Sequence, residues 1–139
     1  MLEKGLSARS AATVAAGNTA AAMGSGDLAV FATPAMVALM ENAAMTAVAP
    51  ELPEGSTTVG AEMNVTHIKP DVHANGRRCV THIKPSGPGA EITATAVLAE
   101  VEGRKLTFNV GARDAEGMIG EGVHIRYVVD REKFMAKVK

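Results

Sequence analysis

This sequence has few aromatic residues and almost no net charge. Its 139 residues include no tryptophan, one tyrosine and three phenylalanines, and the formal net charge is −1. Proteins that bind nucleic acids usually present a basic surface or aromatic side chains on which bases stack. The composition offers neither, so we expect no nucleic-acid partner.

Cysteine and long apolar runs are also scarce. Cys79 is the only cysteine, which excludes an internal disulfide and is typical of a reducing compartment. No apolar run approaches the roughly 18 residues of a membrane-spanning helix. The alanine-rich stretch 11–23 is interrupted by polar residues and lacks the apolar centre of a signal peptide. We therefore expect a cytoplasmic protein with no membrane partner.

Small apolar residues are abundant. Residues of the apolar class make up 47% of the chain, and eight of them are methionines. A chain of this length is expected to form a single domain, 1–139, around one core. A core of such small side chains is thinly filled, which favours a second copy of the chain that covers exposed apolar surface.

The clearest predicted element is one long helix. Thr33 is a suitable N-cap and Pro34 suits the first helical position, so the helix is predicted to begin there and to run to residue 48. Its polar residues fall within one narrow sector: Glu41, Asn42 and Thr46. A helix this apolar is normally buried. Glu41 is then either a carboxylate in apolar surroundings or part of a thin stripe that faces solvent.

Strands are predicted on both sides of this helix. Residues 7–16 form a possible first strand, and Asn18 is the predicted cap of a short helix through Met23. Residues 57–68 alternate, with one apolar face predicted to hold Val59, Ala61, Met63, Val65 and His67. Segments 91–101, 104–114 and 118–129 are three further strands joined by compact turns. A C-terminal helix capped by Asp130 follows. This order predicts an α+β fold in which an antiparallel sheet curls around the helix, the hotdog arrangement.

One six-residue sequence occurs twice in the middle of the chain. Val-Thr-His-Ile-Lys-Pro at 65–70 recurs at 80–85, which indicates a local duplication that inserted about fifteen residues. Asn75-Gly76 between the copies predicts a hairpin at about 70–85. The segment contains four basic residues: Lys69, Arg77, Arg78 and Lys84. This hairpin either contacts the phosphates of an anionic ligand or is an ordinary solvated surface.

Histidine is the remaining candidate metal ligand. The four histidines are at 67, 73, 82 and 124, and none occurs in a tight ligand spacing such as His-Glu-x-x-His. We expect neither a metal nor a cofactor. His67 lies on a predicted apolar face, where a histidine is either a satisfied core residue or a functional one.

Several ordered runs resemble a known family. They are Phe-Ala-Thr-Pro-Ala-Met-Val-Ala-Leu-Met-Glu (31–41), Val-Gly-Ala-Glu-Met-Asn-Val-Thr-His (59–67), Val-Glu-Gly-Arg-Lys-Leu (101–106), Ile-Gly-Glu-Gly-Val-His-Ile-Arg (119–126) and Glu-Lys-Phe-Met-Ala-Lys-Val (132–138). These runs are similar to the fluoroacetyl-CoA thioesterase-like family of hotdog proteins. The resemblance implies a homodimer that hydrolyses an acyl-CoA thioester at the subunit interface, with CoA as part of the substrate. It leaves open whether dimers pair into tetramers.

The resemblance also implies site residues. The family's threonine, glutamate and histidine fall on Thr33, Glu41 and His67, and a glycine that lines the acyl pocket from the partner chain falls on Gly60. Thr33 and nearby helix amides would stabilise an oxyanion. Glu41 with a raised pKa would act as nucleophile or general base, and His67 would orient it, shuttle a proton or polarise the carbonyl.

Glu41 is eight positions after Thr33, about 12 Å along one helix, so Thr33 is expected to act from the preceding loop or at the far end of the substrate. His82 in the second copy is the alternative to His67. The predicted substrate-binding residues are Gly60, Phe31, His82, Lys69 and Arg78.

The sequence leaves the acyl group of the substrate and the class of activity open. The fluoroacetyl-specialised enzyme has aromatic lid residues where this chain has Gly24 and Asp27, which implies a different short acyl group. The main alternative function is a catalytically weak acyl-CoA-binding hotdog module. A hydratase of the same fold is a third possibility, although the helix has no Asp-x5-His pattern.

Overall fold

One long helix lies on a sheet of five antiparallel strands. The computed structural model describes residues 2–67, 71–72, 78–79 and 86–138. The elements in chain order are β1 (Ser7–Thr13), α1 (Ala20–Met23), α2 (Thr33–Val48), a 3-10 turn (Ala49–Glu51), β2 (Ser56–His67), β3 (Asp71–Val72), β4 (Arg78–Cys79), β5 (Glu91–Glu102), β6 (Lys105–Asp114), β7 (Gly117–Asp130) and α3 (Arg131–Met135). The sheet order is β1-β5-β6-β7-β2. The predicted α+β hotdog architecture is confirmed.

The strands follow the sequence pattern most closely in the centre of the sheet. In β6 the buried residues are Leu106, Phe108, Val110 and Ala112, as the alternation predicts. Asp130 caps α3 as predicted, since its carboxylate accepts a hydrogen bond from the Lys133 amide. No helix within the described residues is long and apolar enough to cross a membrane.

Helix α2 buries one face against the sheet. The buried residues of this face are Met36, Met40, Ala43, Ala44, Ala47 and Val48. Alanines allow the helix to approach the sheet closely, and the two methionines fill the space beside them. The opposite face is apolar and open, since Ala38 is exposed and Met45 is 38% exposed. The chain's own sheet therefore covers only part of this apolar helix.

Two predicted helix caps are wrong. The N-cap of α2 is Ala32, which provides no side-chain hydrogen bond, and Thr33 is the first helical residue. The Thr33 hydroxyl is instead hydrogen-bonded to His67. Thr19 rather than Asn18 caps α1. The Asn18 amide group already bonds to backbone atoms of the preceding turn, so it is not available to the helix.

A bulge in β2 overturns the predicted face of this strand. Gly60 pairs with Arg126 and Glu62 with Ile125, so Ala61 is an extra residue without an opposite partner. Upstream of this bulge the buried residue is Thr58 rather than Val59. The single apolar face predicted to include Val59 and Ala61 therefore does not form.

Downstream of the bulge the predicted face is correct. Met63 and Val65 pack against the core, and His67 bonds to Thr33 at the start of α2. Because His67 is seven positions after Gly60, an odd number, a regular strand would place them on opposite faces. The bulge at Ala61 instead places both on the face that carries α2.

The inserted segment contains a second, two-stranded sheet. β3 and β4 pair antiparallel, with Asp71 opposite Cys79 and Val72 opposite Arg78. A hairpin within 70–85 was predicted, and these four residues do pair. The predicted turn at 75–76 and the repeat residues 68–70 and 80–85, including Lys69 and His82, lie outside the described residues.

Candidate functional site

The first group of predicted site residues lies at the start of α2. Thr33 Oγ1 and His67 Nδ1 are 2.7 Å apart, which is hydrogen-bonding distance. The ring of Phe31 contacts the His67 ring edge-on, with centroids 6.3 Å apart and an interplanar angle of 83°. Phe31 is 3% exposed, and its amide donates to the Ser86 carbonyl. We call Phe31, Thr33 and His67 the Thr33 half-site.

This half-site is neutral and partly open. Burial lowers the pKa of His67 below its usual value of about 6.5, which favours the neutral imidazole near pH 7. Thr33 is exposed at the helix end and His67 is half-buried at the last residue of β2. The hydroxyl can donate or accept, and Nδ1 does either according to the tautomer, so this hydrogen bond can run in either direction.

The second group surrounds Glu41 in the middle of α2. Glu41 Oε2 lies 3.7 Å from Arg126 Nη1 on β7. The Arg126 side chain is almost fully buried, whereas that of Glu41 is 41% exposed in the single chain. Arg126 also donates from Nε to Thr58 Oγ1 at 2.8 Å and from Nη2 to the Thr58 carbonyl at 2.9 Å. These contacts fix the plane of the guanidinium beside the Glu41 carboxylate.

His124 completes the support of Arg126. Its Nε2 lies 3.1 Å from Arg126 Nη1, and its Nδ1 lies 2.8 Å from the Glu62 carbonyl oxygen. Burial and the charge of Arg126 lower the pKa of His124, while the Glu62 carbonyl and the charge of Glu41 oppose that shift. Burial also lowers the pKa of Arg126, and Glu41 opposes this change.

Gly60 lies under the Glu41 carboxylate. A Cβ added there would collide with Glu41 Oε2 and would lie 3.3 Å from both Arg126 Nη1 and His124 Cε1. A residue without a side chain is therefore needed for Glu41 to reach Arg126. We call Glu41, Thr58, Gly60, His124 and Arg126 the Glu41 half-site. The two half-sites are about 12 Å apart along α2.

The structure brings the predicted residues together in pairs rather than as one cluster. Thr33 contacts His67, and Glu41 contacts Gly60. Among the described residues, no hydrogen bond or ion pair joins Glu41 to any of the three members of the Thr33 half-site. Of the other predicted substrate-binding residues, Arg78 is described only as part of β4.

Sequence reasoning missed Thr58, His124 and Arg126 as site residues. His124 and Arg126 are two residues apart on one strand, and such residues share a face. A buried histidine and arginine on an otherwise apolar strand face are a detectable pattern. The contact with Glu41 depends on the packing of α2 and cannot be read from spacing. Within the described residues, no three histidine, cysteine, aspartate or glutamate side chains are grouped closely enough to hold a metal ion.

Comparison with known sequences gives one consistent result. A sequence model of the family described as fluoroacetyl-CoA-specific thioesterase matches residues 14–76 and 75–132. The two matched segments meet between the copies of the repeat, as a local duplication would produce. The fluoroacetyl-CoA thioesterase of Streptantibioticus cattleyicolor is 42% identical over 110 residues, which are 79% of this chain and 68% of that protein.

Solved structures give the same assignment. The fluoroacetyl-CoA thioesterase FlK is 33% identical, with a TM-score of 0.82 over 99% of this chain and 96% of its own. A mutant of FlK solved in complex with acetyl-CoA has a TM-score of 0.83 at the same coverage. A hot-dog-like protein from Thermanaerovibrio acidaminovorans, 22% identical, has a TM-score of 0.79 over 99% of this chain and 90% of its own, and it supports the fold alone. The chain therefore belongs to the fluoroacetyl-CoA-specific thioesterase family.

Proposed function

We propose that this protein hydrolyses a short-chain acyl-CoA thioester to the free acid and CoA. We further propose that each site combines the Thr33 half-site of one subunit with the Glu41 half-site of the other in a homodimer. The observation that carries this proposal is the separation of the two half-sites on one helix. The first contains a hydroxyl and an imidazole but no carboxylate, and the second contains the carboxylate.

The exposed edge of β2 supports the dimer. This strand has twelve residues, and among the described residues it pairs with β7 alone. A long unpaired edge favours pairing with another chain. If two copies of β2 pair antiparallel about an axis midway between Gly60 and His67, His67 lies opposite Gly60 of the partner subunit. The same contact would help to cover the open apolar face of α2 near Met45.

The residues of the two half-sites suit the steps of thioester hydrolysis. The Thr33 hydroxyl and the free amides at the start of α2 would donate to the oxyanion that develops on the carbonyl. His67 would accept or supply the proton that moves between the reacting oxygen and the leaving thiolate. Thr33, the helix amides and neutral His67 are uncharged. A charged donor in their place would form an ion pair with the Glu41 carboxylate and would not be free to bind the substrate.

Glu41 would supply either the nucleophile or the general base. Direct attack would form an anhydride and expel CoA thiolate, and water would then hydrolyse the anhydride. Alternatively, Glu41 would remove a proton from water as the water attacks the thioester. Both routes consume one water and release one thiol, and Arg126 holds the carboxylate in position in each.

The acyl group is proposed from similarity and from one local difference. The named relatives are fluoroacetyl-CoA thioesterases, and one structure of a relative contains acetyl-CoA. Gly24 and Asp27 are exposed in the segment before α2, where the resemblance implies aromatic lid residues for a fluoroacetyl-specialised enzyme. We therefore propose a short acyl group other than fluoroacetyl. Contacts of Phe31, Lys69, Arg78 and His82 with the substrate remain predictions.

Subunit mixing tests the shared site. Glu41→Gln and His67→Ala homodimers should both be inactive, and a heterodimer of the two should contain one intact site. Random 1:1 mixing gives half heterodimers, so thiol release should recover to about a quarter of the wild-type value. Mixing Glu41→Gln with Gly60→Ala, both in the same half-site, is the matched control and should recover nothing beyond the activity that the Gly60→Ala chains have by themselves. If neither mixture recovered thiol release, Glu41, Gly60 and His67 would act within one subunit or would not act in hydrolysis. Either result would contradict the shared site.

The insertion favours a second candidate, a catalytically weak acyl-CoA-binding module. β3 of the inserted segment begins at Asp71, four residues after His67. A distortion there would leave binding intact and remove turnover. A panel of short acyl-CoA esters distinguishes the two candidates, since an enzyme releases free thiol and a binding module only raises the melting temperature.

A further inference from the structure

We propose that His124 is a positioning residue, which holds the Arg126 guanidinium against Glu41 by acting as a neutral hydrogen-bond acceptor. Its role in turnover rests on the proposed function, whereas its protonation state does not. His124 is 1% exposed and is among the largest fully buried side chains of the protein. The residue does not reach the substrate in our proposal, so its effect would pass through Arg126.

The partners of His124 determine which nitrogen carries the proton. The Glu62 carbonyl can only accept, so Nδ1, 2.8 Å away, must be an N–H donor. Arg126 Nη1 can only donate, so Nε2, 3.1 Å away, must present its lone pair. Both contacts are satisfied together only by the neutral imidazole with its proton on Nδ1.

Arg126 needs this acceptor because it is buried. Its Nε and Nη2 donate to Thr58, and its Nη1 faces His124 at 3.1 Å and Glu41 at 3.7 Å. Without His124, Nη1 would depend on the longer contact with a carboxylate that must also engage the substrate. A buried guanidinium with an unsatisfied donor is costly and would shift to find a partner. His124 therefore keeps Nη1 in one place while Glu41 reacts.

The contacts of His124 extend from Arg126 to the bulge in β2. The Glu62 carbonyl follows the extra residue Ala61, and the same bulge places Gly60 beneath Glu41. His124 thus links the backbone of the bulge to the guanidinium. Phe108 on β6 lies opposite His124, and the two rings are neighbours, with centroids 6.2 Å apart and planes 31° apart.

Protonation of His124 would break this arrangement. A second proton on Nε2 would point at the Arg126 N–H and place two positive charges side by side. The charged groups that face His124 are Arg126 on its own strand and Glu41 on α2, while β2 contributes a carbonyl and a glycine. Burial and Arg126 lower the pKa of His124, so the neutral form persists near pH 7. Turnover should therefore fall on the acid side as His124 becomes charged.

The structural half of the test is nitrogen-15 NMR of the wild-type protein with labelled histidines. The His124 resonances are assigned by their loss in His124→Gln. We expect a neutral imidazole with the proton on Nδ1 at pH 7, whether or not the protein hydrolyses thioesters. A proton on Nε2, or a charged ring at pH 7, would overturn the proposal without affecting the proposed function.

The kinetic half compares His124→Phe with His124→Gln. Phenylalanine keeps a ring without polar atoms, and we expect kcat to fall on the order of tenfold to a hundredfold, with little change in KM. Glutamine can donate and accept, so it should recover part of kcat and should lose the acid limb that His124 causes. The folded fraction of each variant is checked from its melting temperature. An unchanged kcat in folded His124→Phe, or an unchanged pH profile in His124→Gln, would overturn the proposal.

Discussion

The two half-sites differ in burial, in charge and in the way the chain builds them. The Thr33 half-site is neutral and lies at two element ends, the first residue of α2 and the last residue of β2. The Glu41 half-site lies in the middle of α2, β2 and β7, and it contains an ion pair with the buried Arg126. The Thr33 half-site has few polar supports, whereas in the Glu41 half-site a partly exposed carboxylate rests on the buried side chains of Arg126 and His124.

This difference indicates a division of work. Buried groups at element centres hold a fixed geometry, and groups at element ends can adjust as a substrate binds. We infer that the Glu41 half-site holds the carboxylate while the Thr33 half-site adapts to the thioester. Substitutions in the Glu41 half-site should therefore change both stability and turnover, whereas those in the Thr33 half-site should change mainly turnover.

The largest expected effect is that of Glu41→Gln. Glutamine keeps the shape of the side chain but is neither a nucleophile nor a base, so thiol release should fall by about 10²–10⁴-fold. The open surface of Glu41 leaves room for the amide, so the protein should remain folded. Thiol release from short acyl-CoA esters measures the first effect, and the melting temperature measures the second.

The control for this variant is binding. An acyl-CoA ester should still raise the melting temperature of Glu41→Gln, because the substrate contacts outside Glu41 remain. Near-normal turnover in the variant would remove Glu41 from the chemistry. Both half-sites would then have to be reassigned.

Gly60→Ala should have a smaller effect that involves both stability and turnover. The new methyl group would collide with Glu41 Oε2 and press on Arg126 and His124. Such overpacking typically costs about 1–3 kcal/mol, and here it would also separate Glu41 from Arg126. Chemical denaturation measures the free energy of unfolding, and thiol release measures turnover.

Gly111→Ala is the matched control, since its added Cβ would contact only the Gly120 carbonyl oxygen, at 3.8 Å. Gly111 lies on β6 of the same sheet, and β7 separates this strand from β2. Equal losses from the two alanines would mean that any glycine in this sheet is needed. The close approach of Glu41 to Gly60 would then not account for the loss of stability and turnover in Gly60→Ala.

The two half-sites also differ in how far the sequence predicts them. Alternation correctly predicts the buried face of β6 because the extra residues at its two register shifts lie on the neighbouring strands, β5 and β7. Resemblance identifies Thr33, Glu41, His67 and Gly60 as candidates. Neither method predicts that Gly60 and His67 share a face, since this depends on the bulge at Ala61.

Tertiary contacts explain why sequence reasoning predicted the wrong cap for α2 and missed Thr58 and Arg126 as site residues. Thr33 is a good N-cap by residue type, but its hydroxyl bonds to His67, which is 34 positions away in the sequence. Arg126 meets Thr58 across 68 positions and Glu41 across a helix–sheet contact. A single sequence gives the residue types in these contacts but not the packing that brings them together.

The smallest expected effect is a pH dependence of stability that compares one histidine from each half-site. Burial lowers the folded-state pKa of His67 and of His124, and Arg126 lowers that of His124 further. An unfolded chain has histidines near pKa 6.5, so below that pH it binds protons that the folded chain does not. The free energy of unfolding should therefore be highest above pH 6.5 and should fall as the pH decreases toward the lowered pKa values.

Denaturation curves of His67→Gln and His124→Gln between about pH 5.5 and 7.5 separate the two contributions. Each variant should show a flatter pH dependence than the wild type, because glutamine does not titrate. His124→Gln should also shift the acid limb of turnover through Arg126, whereas His67→Gln should lower turnover at every pH because it removes the proposed proton-transfer group. A wild-type slope retained in both variants would place the titrating groups elsewhere. Flattening in one variant alone would show that only the histidine replaced there has a folded-state pKa low enough to change the stability.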